Sequence, residues 1–233
     1  YVHYPGGPVE KVAESLDKAG ISYTFYDKVE PNPKDTNVRE GLNVFQAENC
    51  DLIVTVGGGS AHDCGKGIGI AATHEGDLYE NYAGIETLSN PLPPIVCVNT
   101  TAGTASEVTR HCVITNTEKK IKFVIVSWRN TPLVSINDPE LMIGKPAGLT
   151  AATGMDALTH AIESYVSLGA NPVTDSMAIQ AIKLISTNLR QAVAYGKNIE
   201  ARENMAQASL LAGMAFNNAG LGYVHAMAHQ LGG

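Results

Sequence analysis

Long apolar runs are missing from this chain of 233 residues, and so is any excess of basic charge. No apolar stretch approaches the roughly 18 residues of a membrane span, so no membrane insertion is expected. Lys and Arg number 16 against 23 Asp and Glu, for a formal net charge of −7. Nucleic-acid partners call for basic patches and are not expected either. Cys50, Cys64, Cys97 and Cys112 stand far apart with no C-x-x-C pair. That spacing excludes a zinc ribbon or disulfide framework and fits the reduced thiols of a cytoplasmic protein. The first residues have neither the charged start nor the apolar centre of a signal peptide. What is present is 44% apolar residues, enough for one large domain or two modest ones.

The first half alternates helix and strand signals. Val9, Val12, Ala13, Leu16 and Ala19 share a helical face, and Gly20 follows where a terminating glycine belongs. Residues 21–26 alternate like a half-buried strand, and Asn37 with Glu40 resembles a capping box. The short apolar runs 51–56 and 94–99 read as buried parallel strands. Two further β-rich runs, 112–115 and 121–127, are spaced for a hairpin. After Pro146 the chain turns rich in Ala, Leu, Met and Ile at helical spacing, with breaks at Asn171-Pro172 and Tyr195-Gly196. The expectation is an α/β domain over residues 1–146 and an all-α domain over 147–233, with ligands in the cleft between them.

Glycines 57, 58 and 59 follow the strand signal at 51–56 and precede a helical stretch. Such a turn lets backbone N–H groups approach a phosphate, although a tight turn alone would ask for the same glycines. The Rossmann spacing fails at His62, and the P-loop spacing ending at Gly65-Lys66 fails at Ser60 and Gly67. A second small-residue loop at 99–106 follows the second strand, with hydroxyls at Thr100, Thr101 and Thr104 for a phosphate, a ribose or a helix cap near Ser106. Asp156 with His160, and His225 with His229, are two i, i+4 pairs of metal-ligand types. Two imidazoles amid Ala and Met are costly to bury unpartnered, so the pairs point to a divalent metal, and the spacing leaves open which of His225 and His229 binds it. His3, His74 and His111 have no such grouping and are expected to be surface or structural.

These segments resemble the iron-dependent (group III) alcohol dehydrogenases. The likeness lies in 57–63 (Gly-Gly-Gly-Ser-Ala-His-Asp), 99–107, 154–163 (Gly-Met-Asp-Ala-Leu-Thr-His-Ala-Ile-Glu) and 222–232, and it covers almost the whole chain. Segments 30–39, 122–130 and 212–218 look most like the branch of that family acting on 1,3-propanediol. Ala61 departs from the proline common in close relatives.

The resemblance implies the dehydroquinate synthase-like fold, here expected to be truncated at both termini, with NAD and Fe2+ as cofactors and Zn2+ as the competing metal. Iron would be held by Asp156, His160, His225 and a further His beyond the last residue of this chain. His229 would face nicotinamide and substrate as the catalytic residue. Gly58, Gly59, Ser60 and Asp63 would hold the pyrophosphate, with Thr100, Thr101, Thr104 and Lys122 completing the cofactor cleft. The partners implied are a small alcohol or aldehyde and, for the full-length protein, further copies in a homo-oligomer. The rivals are a zinc-dependent polyol dehydrogenase or lyase on the same fold, and an inactive nucleotide-binding fragment.

Overall fold

The computed structural model describes residues 2–231. Helices α1 (Pro8–Lys18) and α2 (Asp35–Ala47) open the chain. Gly20 takes the left-handed backbone (φ 68°) just past α1, as the sequence suggests. Asn37 does not cap α2 from outside. It lies inside the first turn, and its side-chain oxygen accepts the backbone N–H of Lys34 at 3.0 Å. Residues 21–30 form no strand, contrary to the alternation at 21–26. A strand needs a hydrogen-bonded neighbour, and no described strand pairs with this segment; Ile21 and Phe25 are exposed.

Three parallel strands, β1 (Ile53–Gly57), β3 (Ile95–Asn99) and β6 (Val134–Ile136), pair in the order β1-β3-β6. Ile53 stands opposite Ile95 and Gly57 opposite Asn99, so both strands end at the same edge. Between them run α3 (Gly59–Thr73) and the short α4 (Leu78–Tyr82). A second sheet is built around the anticipated hairpin, β4 (His111–Asn116) against β5 (Ile121–Val126), with β2 (Gly84–Ile85) parallel to β5. The core joins α2 and α3 to this hairpin through Val38, Cys64, Ile68, Ile70, Ile114 and Ile125. Ser106 begins only a short 3₁₀ turn (Ser106–Val108), so the threonines before it do not cap an α-helix.

No strand follows Ile136 among the described residues. The rest is helical: α5 (Ala147–Val166), α6 (Pro172–Ala194), α7 (Ile199–Ala219) and α8 (Tyr223–Leu231). Asn171 caps α6 by accepting the N–H groups of Val173 and Thr174, and Pro172 fits the first helical position. Buried alanines at 157, 161, 178, 181, 208 and 212 face one another across α5, α6 and α7. Small side chains there let the three helices pack closely.

Lys66, midway along α3, is fully buried. Its ammonium donates to the carbonyls of Ser106, Thr109 and His111 at 2.6–2.8 Å and to the Ser106 hydroxyl at 3.1 Å. The lysine of the rejected P-loop pattern thus pins the chain after β3 onto α3. Replacing it with methionine takes the ammonium donor from the buried Thr109 and His111 carbonyls and leaves the Ser106 carbonyl only the long 3.4 Å bond from the Thr109 N–H. Lys66→Met is expected to lower stability by about 3–5 kcal/mol, read from the urea midpoint.

Candidate functional site

Asp156 and His160 lie one turn apart on α5, so they share a face, and α8 lays His225 against it. The Asp156 carboxylate Oδ1 stands 3.9 Å from His160 Nε2 and 3.6 Å from His225 Nε2. One donor atom from each residue falls within 4.8 Å of the others. Ligand bonds of about 2.0–2.2 Å allow donors up to about 4.4 Å apart on one ion, so the triangle needs only slight closing. An oxygen and two imidazole nitrogens suit a divalent transition metal. His229 lies outside the cluster, its ring centre 6.3 Å from that of His225. The structure therefore brings His225 to Asp156 and His160.

The surroundings hold these groups ready to ligate. His160 is sandwiched between Phe216 and His225, each ring centre 4.3 Å away. Its Nδ1–H donates to the Gly103 carbonyl at 3.2 Å, which leaves the Nε2 lone pair facing Asp156. Burial pushes the His160 pKa down to about 4 against the pull of Asp156, so the ring is neutral at neutral pH. Burial acts to raise the Asp156 pKa, but the His225 hydrogen bond and the neighbouring imidazoles outweigh it and keep the carboxyl below its ordinary value. His225 is lowered by burial but raised more by Asp156 and Glu163, and its net shift is upward. His229 is shifted downward, by burial first and then by Lys122.

The glycine turn sits where β1 gives way to α3. A Cβ on Gly58 would come 2.6 Å from Thr101 Cγ2, and one on Gly59 would come 2.7 Å from Thr104 Oγ1. Any side chain at either position would push the 99–106 loop off the turn. The first N–H groups of α3 have no partner within the helix and point out of its positive end. A groove of about 630 Å³ opens there, lined by Gly58, Gly59, Ser60, Thr101, Thr104 and Thr153 among others. Thr153 lies on α5 one turn before Asp156, so the groove ends against the helix that carries the metal-type cluster.

Three other nucleotide candidates do not line this groove. Asp63 accepts the Ser106 hydroxyl at 2.7 Å, Lys122 donates to Asn32 Oδ1 at 2.8 Å, and Thr100 is fully buried with its N–H on the Gly57 carbonyl. Sequence reasoning missed the Gly103 carbonyl, the Phe216 ring and Glu163, whose carboxylate meets His225 Nδ1. Only Glu163 had a readable signal, since it follows His160 by three residues and shares its helix face. Ala105, in the loop itself, holds a left-handed backbone (φ 53°), a strain that persists only where surroundings enforce it.

With this geometry in place, comparison with known proteins is decisive for class. The family described as iron-containing alcohol dehydrogenase matches residues 2–139, and its C-terminal counterpart matches residues 150–233. The chain belongs to the iron-containing alcohol dehydrogenases. Among its relatives, the 1,3-propanediol dehydrogenase of Klebsiella pneumoniae is 78% identical over 227 residues, which cover 97% of this chain and 58% of that protein. A crystal structure of 1,3-propanediol oxidoreductase superposes with a TM-score of 0.94 at 78% identity, over 97% of this chain and 59% of that one. Sulfoacetaldehyde reductase from Bifidobacterium kashiwanohense, solved in complex with NAD+, gives a TM-score of 0.84 at 37% identity, over 94% and 58%. The chain thus spans less than two thirds of the length of these proteins. Its fold, an α/β part followed by a helical part, is theirs.

Glu107 is buried below the loop and accepts from Asn99 Nδ2 at 2.9 Å, while its Oε2 meets no donor among the described residues. Burial lifts its pKa from the ordinary 4.5 to about 7. Between those values the folded chain holds a proton that the unfolded chain has released. Stability contributed at this residue therefore falls as pH rises from 4.5 to about 7. Glu107→Gln keeps the bond from Asn99 and removes the titration. Urea unfolding should show the variant gaining on the wild type across that window and holding its lead above it.

Proposed function

We propose that this chain supplies the nucleotide turn and metal cluster of an NAD- and iron-dependent alcohol dehydrogenase. The reaction we assign is the interconversion of primary alcohols or diols with aldehydes, with 3-hydroxypropanal reduced to 1,3-propanediol. The observation that carries this reading is the meeting of Asp156 and His160 on α5 with His225 on α8, all within 4.8 Å of one another, where α5 also borders the groove at the glycine turn. The chemical fit is direct: a neutral imidazole, a second imidazole and an ionised carboxylate are the states a divalent cation requires. When bound, the cation supplies Lewis acidity toward the substrate oxygen and the nicotinamide supplies hydride chemistry.

The chain's own residues do the rest. In this reading Gly58, Gly59 and Ser60 seat the pyrophosphate on the N-terminus of α3, and Thr101 and Thr104 wall the groove. Asp63 and Thr100 hold that wall in place through their bonds to Ser106 and Gly57, while Lys122 bonds Asn32 instead. In the same reading His229, half-buried one turn beyond His225 and shifted toward the neutral form, takes or gives the proton of the substrate oxygen. Residues 1–146 would carry the nucleotide and 147–233 the metal. A cytoplasmic homo-oligomer is part of the same reading; no described helix is long and apolar enough to cross a membrane.

The same donor set favours one alternative, a zinc-dependent polyol dehydrogenase or lyase, because oxygen and imidazole ligands also suit zinc. NADH consumption with 3-hydroxypropanal separates the two. The expected result is activity lost on chelation and restored by ferrous salt. Activity that survives chelation, or that zinc alone restores, would overturn the iron assignment.

A further inference from the structure

Glu163 is 5% exposed and lies three residues past His160 on α5. All of its partners belong to the segment that delivers the second imidazole. Oε1 accepts the backbone N–H of Val224 at 2.7 Å and of His225 at 3.4 Å, and Oε2 bonds His225 Nδ1. The approach is tight: a Cβ at Gly222 would stand 3.1 Å from Oε1. Two backbone donors and the positive end of α8 favour the charged carboxylate, which can only accept. In the neutral ring the proton then belongs on Nδ1, which leaves the Nε2 lone pair on the side of Asp156, 3.6 Å away.

We propose that Glu163 is a positioning residue with two separable tasks, docking the first turn of α8 onto α5 and fixing His225 in the tautomer that ligates through Nε2. It touches neither substrate nor cofactor in this assignment, and it acts through the His225 ring and the first backbone N–H groups of α8. The proposal rests on the metal reading given above. His160 obeys the same logic with a different acceptor, the Gly103 carbonyl. That carbonyl is neutral and belongs to the loop, whereas Glu163 brings a full charge and a hold on the helix backbone. Carboxylates behind metal-bound histidines raise ligand basicity, and their loss typically weakens metal binding about 10- to 100-fold.

Two substitutions in the full chain separate the tasks. Glu163→Gln keeps one oxygen for the Val224 and His225 N–H groups but turns an NH2 toward Nδ1, which drives the proton onto Nε2. Glu163→Ala removes both functions. Co2+ serves as a visible-absorbing probe of the metal site, and amide hydrogen exchange over 223–231 reports the docking of α8. Glu163→Gln is expected to keep wild-type exchange in α8 yet bind Co2+ about 10- to 100-fold more weakly. Glu163→Ala should lose both. Co2+ affinity in Glu163→Gln equal to wild type, or a loss accompanied by equally lost exchange protection, overturns the tautomer role. A wild-type chain that binds no Co2+ strikes instead at the metal reading itself.

Discussion

The loop at 99–106 is held from both sides, and the arrangement of the site follows from that. On one side Thr101 and Thr104 lie directly on Gly58 and Gly59, so the phosphate-type turn has its shape only while the loop is in place. On the other side the Gly103 carbonyl fixes the His160 ring at 3.2 Å. Below, Lys66 and Asp63 hold Ser106 from α3. Backbone of this kind cannot shift at one end without moving the other, because each contact is a buried hydrogen bond or a packing contact with no spare volume. The groove at the glycine turn and the metal-type cluster are thus coupled through a single stretch of chain.

Electrostatics in the cluster divide along the same lines. Asp156 and Glu163 bring two carboxylates to His225 from opposite ring nitrogens, while His160 faces one carboxylate and one carbonyl. The first imidazole is therefore biased toward its charged form and the second toward its neutral form. A divalent cation placed among them would compensate both carboxylates at once. Stacking of His160 between Phe216 and His225 leaves the rings little freedom to turn away, which lowers the entropy lost on ligation.

Much of this was legible in the residues. The strand–turn–helix at 51–73, the hairpin, the helical second half and the pairing of Asp156 with His160 are consequences of local spacing, and local spacing is what a sequence displays. The choice between His225 and His229 was not, because both share a face of α8 and only the packing angle of that helix decides which reaches Asp156. Lys66 was visible as the lysine of a broken P-loop pattern, but its true partners are carbonyls 40 to 45 residues away. Carbonyls carry no sequence signature, so the Gly103 acceptor was equally hidden. The strand expected at 21–26 failed for a related reason: alternation marks a strand's faces but says nothing of whether a neighbour exists to pair with it.

The central claim is that one cation is shared by Asp156, His160 and His225. Anomalous diffraction at the iron edge, from crystals of the full chain grown with Fe2+, tests it most directly. The account predicts a single strong peak about 2.0–2.2 Å from a carboxylate oxygen of Asp156 and from Nε2 of both His160 and His225. A peak bound instead through His229, or no peak between these residues at full iron occupancy in solution, would contradict it.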